Sequence, residues 1–144
     1  MPRYFTLPEA QALVPQVEGY LRQAVSSKTS LAGAVSELQG ESERIRLTGG
    51  AQVDQGKLLE TISRRDAAAV QLRDALAAIQ EHGCVVKDLD MGLLDFPALY
   101  RGEEVCLCWK LGEPEIRFWH RPEEGYRGRK PIGQEFLDNI RGSA

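Results

Sequence analysis

The chain has 144 residues, 42% of them hydrophobic, and 18 basic and 21 acidic side chains are interspersed along it for a net charge of -3. That is enough apolar material for one domain burying roughly two thirds of its unfolded surface, and the mixed charge excludes a general nucleic-acid or anionic-membrane surface, so any anion site has to be local. Three cysteines without the paired spacing of a secreted scaffold read as reduced thiols. The stretch from Met1 to Leu7 has no apolar export core, and no segment approaches the ~18 apolar residues of a membrane span. The expectation is a single cytoplasmic domain over residues 1–144 without a membrane partner.

The first eighty residues carry helical periodicity. In "TLPEA" the Thr6 hydroxyl can cap the N–H of Glu9 while Glu9 reaches back, and Pro8 sits in the first turn, so a helix starts at Leu7. Leu7, Val14, Leu21 and Val35 recur at one heptad position and Ala10, Val17, Ala24, Leu31 and Leu38 at another, interrupted by Lys28. This is a coiled-coil-like seam that runs through Pro15. "GESERIRLTGG", Gly40 to Gly50, reads as a loop. A second seam follows in Leu58, Ile62, Ala69, Leu72, Leu76 and Ile79, closed by Gly83.

Folding the two helices about the centre of that loop sets Val35 against Leu58, Leu31 against Ile62, Ala24 against Ala69, Leu21 against Leu72 and Val17 against Leu76. Lys28 then lies beside Arg65, two cations that need Asp66, a partner chain, a bound anion or an exit to water. The helical hairpin thus spans residues 6–82. A two-helix hairpin cannot bury both its faces alone, which points to a homodimer or higher oligomer assembled through the helices.

After Gly83 the period becomes alternating, and residues 83–144 form a small antiparallel β-unit with a C-terminal tail. "CVVKDL", Cys84 to Leu89, reads as a strand, "DMGLLDFPALYRGEE" as a connecting loop with a turn at Arg101-Gly102, and "EVCLCWKLGEPEIRFWH" as a β-hairpin. With Gly112 to Glu115 as a four-residue loop, Leu111 faces Ile116, Trp109 faces Phe118 and Leu107 faces His120 on the core side. Cys106, Cys108 and Lys110 then lie on the other side, with Arg121, Trp119 and Arg117. In this register a zinc site uniting Cys84, Cys106, Cys108 and His120 would require a shift of one residue, and Cys-x-Cys lacks the usual Cys-x2-Cys spacing, so the cysteines read as small buried hydrophobes. A short helix is expected over Gln134 to Ile140. The fold class is α+β.

His120 is the residue left to explain. At a sheet edge it is either a satisfied core histidine or the centre of a rim site. The rim reading brings Asp88, Asp95 and Glu113 as metal-ligating candidates with His120, and Trp119, Arg127, Arg129 and Lys130 as candidates for a small anionic ligand. Asp88, Asp90 and Asp95 equally suit turns and caps, the cations equally suit a solvated loop, and Glu123 and Glu124 dilute any nucleic-acid patch. No cofactor motif is identified, and a divalent metal ion is the cofactor these residue types could hold.

The run from Gly83 to Ile132 resembles the small bacterial family called domain of unknown function 2203, through Lys87-Asp88, Gly92-Leu93 with Asp95-Phe96-Pro97, Cys108-Trp109, Leu111-Gly112-Glu113, Trp119-His120, and Gly125 with Gly128-Arg129. The resemblance, which extends over essentially the whole chain, implies a prokaryotic cytosolic protein of a family without an established activity. Three readings result. The first is a non-catalytic oligomeric protein that binds a ligand or partner. The second is a metal-binding protein centred on His120, and the third a metal-dependent hydrolase or a transferase with His120 as general base.

Overall fold

The computed structural model describes residues 3–50 and 53–142; the Met1-Pro2 start of the stretch read above for an export signal lies outside the described residues. The chain divides into two compact units, one of residues up to Leu21 together with those from Leu76 on, the other Arg22–Ala75. Two long helices pack together and a small antiparallel sheet follows, an α+β fold. Among the described residues no helix is long and apolar enough to cross a membrane.

Helix α1 runs Leu7–Thr48 and α2 Gln55–Glu81. The capping box at the start of α1 is formed: the Glu9 N–H donates to Thr6 Oγ1 at 3.3 Å and the Thr6 N–H to Glu9 Oε1 at 3.0 Å. The helix continues through Pro15 and also through Gly40 to Thr48, where a loop was expected. A single glycine costs a helix about 1 kcal/mol, and the Glu41–Arg44 and Glu43–Arg46 pairs one turn apart offset part of it. Only at Gly49 (φ 70°) and Gly50 (φ 81°) does the backbone turn left-handed. Asp54 then opens α2, its carboxylate accepting from the Lys57 N–H at 3.0 Å.

The later turn moves the helix register. Within Arg22–Ala75, Glu37 accepts from Arg64 at 2.7 Å and from Thr61 at 3.3 Å, and Ser30 and Ala34 share a cavity wall with Ala68 and Gln71, not with Ile62. Arg65 lies at the level of Glu37, about 13 Å along the helix from Lys28. The two cations therefore do not face each other, Arg65 pairs with Asp66 at 3.0 Å, and the case for an anion between them is gone. The buried positions here are Ala24, Ser27, Ala34, Thr61, Ala68 and Ala75, while Val35 and Ala69 are exposed. A straight α-helix drifts ~20° per heptad from a 3.5-residue repeat, so a seam extrapolated along a heptad ends one position off.

In the other unit the strands are β1 (Val85–Asp88), β2 (Leu93–Tyr100), β3 (Glu103–Lys110), β4 (Phe118–His120), β5 (Lys130–Pro131) and β6 (Ile140–Arg141), with α3 (Gln134–Asn139) before the last. They form one antiparallel sheet in the order β1-β2-β3-β4-β5, with β6 beside the end of β2. The segment read as a loop, "LLDFPALY", is β2, a central strand. It shows no alternation because both its faces are buried over Leu93–Phe96. Pro97 is tolerated because β1 stops level with Asp95, and on that side the Pro97 carbonyl accepts the Phe5 N–H at 2.7 Å. The two-residue turn Arg101-Gly102, with both φ angles positive, joins β2 to β3 as expected.

One sheet face is the core. Leu94, Phe96, Ala98, Val105, Leu107, Trp109 and Trp119 join Phe5, Val14, Val17, Leu21, Ile79, Phe136 and Ile140 in one cluster. Trp119 stacks on Phe136 at 4.6 Å between ring centroids, and Phe136 on Tyr100 at 5.0 Å.

Candidate metal centre

The other face of the sheet carries the polar chemistry. In the β3–β4 pairing Cys106 lies opposite His120, Leu107 opposite Trp119 and Cys108 opposite Phe118, one residue from the register expected from a four-residue loop. A one-residue slip moves every side chain of a strand to the other face. Trp119 is thereby in the core, and His120 stands with the cysteines, meeting the condition under which thiols and imidazole share a site.

The cause of the slip lies in the connection Leu111–Arg117. The Trp109 indole donates to the Glu113 carbonyl at 3.0 Å, and the Lys110 N–H donates to the Glu113 carboxylate at 2.6 Å. Leu111 N–H is taken by the Gly92 carbonyl at 2.8 Å and Ile116 N–H by Gln11 at 2.7 Å, so these two residues do not pair with each other. The hairpin loses its last rungs, and the longer loop resets the count.

Asp95 of β2, Cys106 of β3 and His120 of β4 offer ligand atoms that all lie within 4.8 Å of one another. Asp95 is 3% and His120 1% exposed, and Cys106 is half-buried. His120 Nδ1 lies 2.7 Å from the Arg121 carbonyl, which can only accept, so Nδ1 carries a hydrogen and donates it. Nε2 points at Asp95 Oδ1, 2.9 Å away. The bond to Asp95, then the Cys108 sulfur as a further acceptor, push the His120 pKa up to about 10 against the opposing effect of burial, so in this arrangement the ring holds a proton. Burial, and then the Asp95 charge, push the Cys106 thiol up to about 12.

A histidine whose Nδ1–H is tethered to a backbone carbonyl and whose Nε2 faces a carboxylate and a thiol is oriented as metal-bound imidazoles are. The donor set of one oxygen, one sulfur and one nitrogen suits a borderline transition ion such as zinc and not the all-oxygen shells of magnesium or calcium.

The other candidate residues fall elsewhere. Asp88 accepts the Met91 N–H at 3.0 Å, which is turn chemistry. Glu113 clasps its own loop and pairs with Arg129 at 2.6 Å. The Arg129 guanidinium, 8% exposed, lies over the Phe118 ring at 4.2 Å and the Tyr126 ring at 4.9 Å; its buried Nε has no hydrogen-bond partner and sits among these aromatic faces. Lys130 pairs with Glu124 at 2.6 Å and sits over Trp119, and Arg127 is exposed in a short turn, Tyr126–Gly128. Arg129 and Lys130 are thus held by carboxylates and rings, while Arg127 faces water.

Away from the sheet, a cavity of about 810 Å³ lies between the distal parts of α1 and α2, and both arginines in its wall are paired, Arg64 with Glu37 and Arg44 with Glu41. Sequence reasoning named Asp95 and His120 and set aside a site joining His120 to Cys106 because the expected register parted them, so the place of Cys106 beside them was missed. The signal for it was the alternation of Cys106 with Leu107, once the register is shifted.

Neither a curated protein nor a solved structure matches the chain. Residues 3–132 match the family model described as "Uncharacterized conserved protein (DUF2203)", and the protein belongs to that family.

Proposed function

We propose that this protein binds a divalent transition-metal ion at the sheet, through Asp95, Cys106 and His120. The observation that carries the reading is the convergence of three chemically different ligand atoms within 4.8 Å from three adjacent strands. Strand-borne ligands are held more rigidly than loop-borne ones. Tetrahedral coordination with ~2 Å bonds sets nitrogen and oxygen ligands ~3.3 Å apart, so exchanging the shared proton for an ion opens the His120–Asp95 contact by only a few tenths of an ångström. The test is native mass spectrometry of protein purified without a histidine tag or chelator and then given one equivalent of zinc. One retained ion per chain, lost in Cys106→Ala, is expected; a wild-type chain that retains none overturns the reading.

A second reading is self-association through the helices. It is supported by the contrast between small buried side chains in Arg22–Ala75 and larger apolar ones, Val35, Leu59 and Val70, that stay exposed. Light scattering on the eluted protein, comparing wild type with Val35→Glu, tests it. A dimer reduced to monomer by the substitution is expected, and a wild-type monomer removes the reading.

A further inference from the structure

We infer that Cys108 completes the same site as a fourth ligand, so that the centre is a closed, thiolate-rich site of the zinc class and holds the sheet together without offering a position to substrate. This rests on the metal-binding reading above. The geometry begins with the sheet. Cys106 and Cys108 are two apart on β3 and share its polar face; Cys108 lies directly opposite Asp95 on β2, and Cys106 directly opposite His120 on β4. The contact between His120 Nε2 and Asp95 Oδ1 joins β4 to β2, so the imidazole crosses β3 between the two cysteines.

Cys108 lies outside the 4.8 Å cluster of the other three, yet it stands on the same sheet face, directly opposite Asp95, and is 1% exposed. Because register already sets Cys108 on the face that carries the other three, the inference requires a rotation of its side chain toward them. The resulting donors are one carboxylate oxygen, one imidazole nitrogen and two thiolate sulfurs from three neighbouring strands, which is a full tetrahedral set. A catalytic zinc site keeps one position for water, and this arrangement leaves none. The burial of Asp95 and His120 agrees with a site that meets no substrate.

X-ray absorption at the zinc edge of the loaded full-length chain counts the sulfurs directly. Two sulfur scatterers at ~2.3 Å, falling to one in Cys108→Ala, are the expected result. Should that variant not fold, Cys108→Ser keeps the volume, and the wild-type count alone still decides. Zinc bound with a single sulfur leaves the metal-binding reading standing and overturns this inference. A chain that retains no zinc overturns both.

Discussion

The two units of the chain are filled in opposite ways. Among its described residues Arg22–Ala75 buries nothing larger than threonine, and its helices are tied across by the exposed Arg64–Glu37 pair. The sheet unit buries Trp109, Phe5, Phe96 and a continuous apolar cluster, and on the opposite sheet face it also buries Asp95 and His120. The difference teaches where chemistry can be expected. An exposed ion pair is screened and contributes little, whereas a buried one exists only where the surrounding packing enforces it.

The comparison can be broken from the sheet side first. Asp95→Asn in metal-free protein leaves the His120 imidazole buried without its counter-charge, and a loss of ~3–5 kcal/mol in urea unfolding is expected. A change too small to measure would mean that the pair is solvated. The pH dependence comes next. The folded pKa of His120, about 10, lies above the ordinary histidine value of 6.5. The stabilisation from the protonated ring is therefore fully present below pH 6.5 and is lost as pH rises through 10. At 1.36 kcal/mol per unit the loss is on the order of 5 kcal/mol, and it should vanish in Asp95→Asn. Chelator-treated protein unfolded at a series of pH values reads it.

Smaller is Gly92→Ala, at a backbone φ of 69° where an added Cβ would meet Leu111 Cβ at 2.7 Å. The expected cost is ~1–3 kcal/mol, read as a lowered thermal midpoint. The smallest effect is assigned to the hairpin: Glu37→Gln, which removes the carboxylate that joins Arg64 and Thr61, should leave the unfolding midpoint unchanged within error. A clear drop there would show that the helices depend on that pair and would weaken the contrast between the units.

Much of the fold was legible in the residues. The capping box at Thr6, the closing Gly83, the Arg101-Gly102 turn and the C-terminal helix all have local causes, and local causes can be read from short stretches. What could not be read depends on counting across a connection. The Gly40 to Gly50 segment looked like a loop because glycine and polar residues surround it, yet its charges pair one turn apart; moving the turn to Gly49-Gly50 displaced the interhelical partners within Arg22–Ala75.

β2 was missed because Asp95 and Pro97 are poor strand formers, and each is accommodated by a tertiary partner, His120 for one and Phe5 for the other. The candidate site shows both sides of this. Asp95 and His120 were picked out by residue type, while a register error of one assigned His120 to the core face, away from Cys106. Asp88 and Glu113, equally good by type, serve turns instead.

The clasp at Glu113 makes the length of an exposed loop as constrained as a core side chain. Surface connections ordinarily tolerate insertion and deletion, because little depends on how many residues they hold. Between Lys110 and Phe118 that tolerance should be absent. Adding or removing one residue would change the parity of β4, turning Trp119 toward the polar face and His120 into the apolar cluster. In a library of single-residue indels this segment should therefore stand out as intolerant, although most of its side chains face water.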